Sequence, residues 1–175
     1  MVSSLDGIIA KKDNSVGWFE TYDYYGKGVN EQDSVEALKV IDCYIMGSRT
    51  YEHAFELSKS YGWPYGDVAT IVLTHRKLPV DRPNIETYSG DLKELVTKRL
   101  KPNYKNVWVV GGAVLAQDFI RLKLADEINL SILPIILGEG TLFFDQIGIE
   151  QTLHLKEVTA HKSGRVELCY GIRKE

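Results

Sequence analysis

Three short stretches of the chain carry residues suited to holding phosphate: Gly47-Ser48-Arg49-Thr50, Thr74-His75-Arg76 and Gly111-Gly112-Ala113. Each follows a run rich in β-branched or aromatic residues, CYIM, ATIVL and VWVV respectively. In the first and third, glycine lets a ligand approach the backbone, and the helical spacing that follows offers the unpaired N–H groups of a helix N-terminus to an anion. The second adds a hydroxyl and a permanent guanidinium, whose fork of donors matches a phosphate monoester. Each stretch alone has a plainer reading, as backbone packing or as solvated charge. Ligands of open α/β sheets bind at the carboxyl ends of the strands, so three such ends in one sheet point to a ligand with several phosphates. The cations Arg49 and Arg76 fit a 2′-phosphate, hence NADP rather than NAD.

The rest of the chain must supply elements that hold these ends together. After the opening VSSLDGIIA, the stretch from Lys11 to Asn30 is rich in Gly, Asp, Asn and Tyr without periodicity and reads as a long loop. Asp33 or Ser34 can cap a helix DSVEALKV, and IDCYIM then reads as a buried strand followed by a helix GSRTYEHAFELSKS. The pattern repeats with ATIVLT and with GDLKELVTKRLKP, a helix carrying Leu92, Leu95, Val96 and Leu100 on one face and stopped by Pro102. NVWVV and the helix AVLAQDFIRL come next, and then a long strand EINLSILPIIL interrupted by Pro134, which cannot donate to a ladder. LHLKEVTAH and VELCYGIRK alternate around the turn KSGR as an antiparallel hairpin, with Val166, Leu168, Tyr170 and Ile172 on one face. This alternation predicts an α/β fold with a mostly parallel sheet and a mixed edge, in a single domain spanning residues 1–175.

Composition narrows the classes. The chain is 44% hydrophobic and 26% charged with a net charge of −3, an ordinary soluble composition without the basic excess that nucleic-acid binding needs. Cys43 and Cys169 sit in apolar, strand-like surroundings and read as reduced core residues. No run approaches the roughly 18 apolar residues of a membrane span and no signal pattern opens the chain, so the expected compartment is the cytoplasm, with no membrane partner. His53, His75, His154 and His161 show no HxxxH or HxH spacing and there is no CxxC pair, so no metal is expected. A Rossmann dehydrogenase is the weaker alternative, because neither Gly111-Gly112 nor Gly138-Glu139-Gly140 extends to GxGxxG.

Ser4-Leu5-Asp6-Gly7 with Ile8-Ile9-Ala10, then Met46-Gly47-Ser48-Arg49-Thr50-Tyr51-Glu52, Val110-Gly111-Gly112-Ala113 and Leu133-Pro134-Ile135-Ile136-Leu137-Gly138-Glu139-Gly140 follow one another in order. As a set they resemble the dihydrofolate reductase superfamily, most closely the C-terminal reductase domain of the riboflavin-pathway deaminase-reductase and its stand-alone relatives. The resemblance implies a three-layer fold with a central mixed, mostly parallel sheet of about eight strands, flanking helices and a C-terminal antiparallel hairpin. It implies NADPH as cofactor, with Gly47 to Thr50 and Thr74 to Arg76 at the adenosine phosphates, Gly111, Gly112 and Ala113 at the pyrophosphate, and Ser4 in the stretch beside the nicotinamide. Trp18 and Tyr51 then belong to the substrate side, and Asp6 and Asp23 are the candidate catalytic carboxylates.

Two departures stand out. Only three residues precede Ser4, so a central strand there must be very short. The zinc-deaminase signature, H-x-E followed by P-C-x-x-C, is absent, which excludes the bifunctional enzyme within this sequence. The expectation is therefore a homodimeric NADPH-dependent reductase transferring hydride to a small heterocycle of pteridine or aminouracil type. An NADP-binding protein without turnover stays open beside it.

Overall fold

The computed structural model describes residues 1–19 and 39–173. The chain divides into two compact units, Gln32–Asp118 and the pair of segments Met1–Glu31 and Phe119–Glu175. Most of the expected helix over 33–40, and Asp23 in the long loop, lie outside the described residues.

In Gln32–Asp118, β3 (Cys43–Gly47), β4 (Ala69–Leu73), β5 (Ile85–Tyr88) and β6 (Val107–Gly111) form an all-parallel sheet in the order β5-β4-β3-β6. The two central strands are near-continuous apolar runs because both of their faces are covered: Tyr44, Met46 and Val72 are buried on one side, Cys43, Ile45 and Ile71 on the other. Tyr44, Met46 and Val72 join Tyr51, Ala54, Trp63 and Ile85 in one core cluster. Tyr51 and Ala54 come from α1 (Ser48–Tyr61), three residues apart and so on one face. The edge strand β5 was not expected: in IETY only Ile85 is buried, which leaves no periodic signal to read.

The helix read in GDLKELVTKRLKP forms, here called α2, as an α turn Leu92–Glu94, a π-helical stretch Leu95–Leu100 and a final turn Lys101–Asn103. Asp91 caps it by accepting the Glu94 N–H at 3.0 Å. Leu95, Val96 and Leu100 are buried as their spacing predicts. Pro102 lies inside the last turn, and the helix ends one residue beyond it.

In the other unit β1 (Val2–Ser3), β7 (Glu127–Ile132), β9 (Leu153–Ala160) and β10 (Val166–Ile172) make a mixed sheet in the order β1-β7-β10-β9. The expected short strand before Ser4 is the two-residue β1, parallel to β7. β7 stops before Leu133-Pro134, consistent with proline's missing donor. The β9–β10 hairpin contains a bulge that leaves Lys156 without a partner across the ladder. The extra residue keeps Leu153, Leu155, Val158 and Ala160 opposite Ile172, Tyr170, Leu168 and Val166, so all eight share one face although Leu155 and Val158 are three apart in sequence. β2 (Ile8–Ala10) and β8 (Thr141–Leu142) form a separate antiparallel pair. The described strands thus form hydrogen-bonded sets of four, two and four rather than one sheet of eight. α3 (Ala113–Arg121) follows β6. Among the described residues no helix is long and apolar enough to cross a membrane.

Candidate functional site

Because β3 to β6 run parallel, their carboxyl ends meet at one edge of the Gln32–Asp118 unit. Gly47 lies opposite Leu73, and Met46 opposite Gly111, so the three phosphate-suited stretches emerge side by side. Gly47 is the N-cap of the 14-residue α1, with no side-chain cap and no acidic residue in the first turn. The first N–H groups of that helix therefore have no capping side chain, and no acidic residue in the first turn offsets the positive end of its dipole.

Two of the glycines here are not required by the fold. Gly47 has φ −77°, which any residue adopts, and a Cβ on it would meet only Gly111 O and Gly112 N at 3.9 Å. A Cβ on Gly112 would meet only Thr50 Oγ1 at 3.8 Å. Both are ordinary van der Waals distances, so packing against the described residues does not forbid a side chain. Gly111 differs, since its φ of +124° suits glycine alone. The Gly111–Gly112 peptide is cis.

At the end of β4, the Arg76 N–H donates to Thr74 Oγ1 at 3.0 Å, and the Thr74 N–H donates to Tyr88 O at 2.9 Å. The Arg76 guanidinium donates to Glu52 Oε2 at 2.8 Å. Arg49 and His75 are exposed, Ser48 and Thr50 half-buried, and Ala113 is buried behind the glycines. Every expected phosphate-contact residue lies at this edge, while Ser4, expected beside the nicotinamide, does not.

Tyr51, expected on the substrate side, lies in the core cluster of the Gln32–Asp118 unit. It is fully buried, packs on Phe55 and Trp63 with ring centroids 5.8 Å away in each case, and donates its hydroxyl to Pro79 O at 2.6 Å. Its place three residues before Ala54 puts it on the core face of α1, and that face decides its role.

Ser4, Asp6 and Trp18 belong to the other unit. Ser4 is 1% exposed: its hydroxyl donates to Asp6 Oδ1 at 2.6 Å and accepts the Ile8 N–H at 2.9 Å, so the expected cofactor contact through this side chain is used up inside the turn. Asp6 also accepts the Leu137 N–H at 3.2 Å and the Gly138 N–H at 2.8 Å. The Ser4 hydroxyl first, and then the Gly138 N–H, hold its carboxyl below the usual range, at about 2. A carboxylate so ionised is an acceptor at neutral pH, and it ties the SLDG turn to the Leu137-Gly138 loop. Gly140 completes this tie: with φ +147° and a would-be Cβ 2.2 Å from Ala10 O, no other residue fits. Trp18, expected beside the substrate, is 3% exposed and sits edge-on to Phe19 at 4.4 Å.

Residues 1–166 match the family model of the RibD C-terminal domain. The chain belongs to that family. Among its relatives, the uncharacterized protein YwjB of Bacillus subtilis (strain 168) is 32% identical over 154 residues, covering 87% of this chain and 84% of YwjB. A proposed riboflavin biosynthesis protein of Shewanella sp. PV-4 shares the fold at a TM-score of 0.83 and 21% identity, over 99% of this chain and 97% of its own. The diaminohydroxyphosphoribosylaminopyrimidine deaminase/5-amino-6-(5-phosphoribosylamino)uracil reductase of Thermotoga maritima superposes at a TM-score of 0.68 and 15% identity, over 98% of this chain but 55% of the Thermotoga chain. The α/β fold of the dihydrofolate reductase type, expected from the ordered motifs, is the fold of these neighbours. The family assignment also displaces the Rossmann alternative.

Within this RibD C-terminal domain, Glu52 also stands at the edge that holds Arg76. Glu52 was read only as the end of a motif, yet it pairs with Arg76 from a different strand end. The available signal was its spacing of three from Arg49 on α1, which places the two on one helix face.

Proposed function

We propose that this domain is an NADPH-dependent reductase acting on a small heterocycle of aminouracil or pteridine type, as a homodimer in the cytoplasm. The observation that carries the cofactor assignment is the pair Gly47 and Gly112, bare of side chains where neither φ nor packing requires it, beside an uncapped helix N-terminus. Family membership and the aminouracil reductase activity in the name of the Thermotoga enzyme support the acceptor class.

The donor set fits a dinucleotide phosphate. The first N–H groups of α1 and α3 would hold the pyrophosphate, and Arg49, Thr74 and Arg76 the adenosine 2′-phosphate. When bound, the nicotinamide supplies a hydride, and one proton from water or a protein acid completes the reduction of the acceptor. The chain's own part is to fix the cofactor through backbone donors and to keep the SLDG turn in one geometry through Asp6.

The engagement of Asp6 gives the second reading, an NADP-binding protein without turnover, its specific support. One experiment separates the two: NADPH oxidation followed by absorbance against aminouracils, dihydropterins and small carbonyls, together with calorimetric NADPH binding. Oxidation above the no-acceptor background with an aminouracil or dihydropterin supports the reductase. Tight NADPH binding with no such oxidation selects the binder, and no binding removes both. Light scattering of the purified protein tests the homodimer.

A further inference from the structure

We infer that Glu52 is an internal counter-ion that competes with the cofactor's 2′-phosphate for Arg76 and thereby limits the preference for NADP over NAD. The inference rests on the nucleotide reading of the β3–β4–β6 edge given above. In the structure the Arg76 guanidinium donates to Glu52 Oε2 at 2.8 Å, and both side chains are about half exposed. Arg49, the other cation assigned to the 2′-phosphate, precedes Glu52 by three residues on α1 and so stands on the same helix face. The Thr74 hydroxyl, by accepting the Arg76 N–H, closes the turn that delivers Arg76 to this position. Glu52 therefore sits among the groups that would receive a 2′-phosphate.

A phosphate dianion bound here must share Arg76 with this carboxylate and lie close to a like charge, which weakens its binding. A ribose 2′-hydroxyl meets no such penalty, because it can donate a hydrogen bond to the same carboxylate. The two effects act in opposite directions on the two cofactors. Removing the charge while keeping the shape should thus sharpen selectivity rather than merely strengthen all binding. The pair is solvent-exposed, so the effect should shrink as salt rises.

The test is calorimetric binding of adenosine 2′,5′-bisphosphate and adenosine 5′-monophosphate to the full chain and to Glu52→Gln, Arg76→Gln and the double variant, at low and moderate salt. The expected result is about twofold to fivefold tighter binding of the bisphosphate to Glu52→Gln, with no tightening for the monophosphate, the scale of one exposed charge interaction. In the Arg76→Gln background the Glu52 substitution should have a smaller effect on the bisphosphate. If both nucleotides bind but Glu52→Gln leaves their ratio unchanged, the counter-ion role is wrong and the nucleotide site stands. Equal tightening of both nucleotides also overturns the role, since it shows only a general charge effect. If neither nucleotide binds the parent or any variant, the nucleotide reading of the edge fails and the inference falls with it.

Discussion

Replacing Gly112 by alanine separates a ligand cradle from a packing device. Among the described residues the new methyl meets only Thr50 Oγ1 at 3.8 Å, an ordinary contact distance. Gly112 stands at the N-cap of α3, its carbonyl accepting the Ala116 N–H at 3.1 Å, and glycine there is better than alanine by up to about 1 kcal/mol. Alanine recovers about 0.4–1 kcal/mol by restricting the unfolded chain. The two terms nearly cancel, so stability should stay within about 1 kcal/mol of the parent, a shift of roughly 2–4 °C in Tm at most for a chain of this size. Binding responds differently. A methyl in the space of a pyrophosphate displaces it from at least one backbone N–H, and a hydrogen bond to a charged group contributes about 1.5–3 kcal/mol, or roughly 10- to 150-fold in Kd. The assay pairs thermal unfolding with NADPH calorimetry for Gly112→Ala and for Gly47→Ala, whose nearest contacts are similarly open. Two folded variants with parental NADPH affinity would refute the cradle argument and leave the glycines as a strand-to-helix turn.

Other perturbations follow from the same geometry. Tyr51→Phe leaves the Pro79 carbonyl without its 2.6 Å donor and should cost about 1–3 kcal/mol in urea unfolding while NADPH affinity holds; an affinity loss would return Tyr51 to the site. Gly140→Ala must absorb both φ +147° and a 2.2 Å approach to Ala10 O, so denaturation should show a loss of about 3 kcal/mol or more, and a parental melting curve would contradict the tie between β2 and this loop. Asp6 is held at about 2, below its unfolded value, so its stabilising contribution is present above the ordinary carboxylate range and is lost as pH falls from about 4 toward 2. The Asp6→Asn variant should therefore show a flatter acid limb in that window when urea midpoints are compared, and an unchanged limb would mean the Gly138 and Ser4 bonds do not set its ionisation.

Much of the fold was legible because the signals were local. The apolar runs CYIM, ATIVL and VWVV became three parallel strands, and Leu95, Val96 and Leu100 buried one helix face, since burial on two faces or on one stripe leaves its period in the sequence. The glycine and arginine stretches at those strand ends were legible for the same reason. The edge strand Ile85–Tyr88 was not, because a strand with one buried residue has no pattern of its own and is defined by its ladder to β4.

The remaining differences concern partners distant in sequence. Whether Tyr51 points to a ligand or to a core depends on which face of α1 lies against the sheet. Asp6 reads as a candidate catalytic carboxylate in the sequence, but its hydrogen bonds from Leu137 and Gly138, more than 130 residues along the chain, are made only in the folded structure. Arg76 carried a readable cation, but its counter-ion Glu52, 24 residues earlier, becomes its neighbour only when the ends of β3 and β4 lie side by side. The sequence by itself determined which residue types stand at the strand ends, since periodicity and composition act over a few residues. Only the tertiary structure decided which of those groups are already satisfied, because a hydrogen bond or ion pair is made in space between segments that the order of residues does not pair.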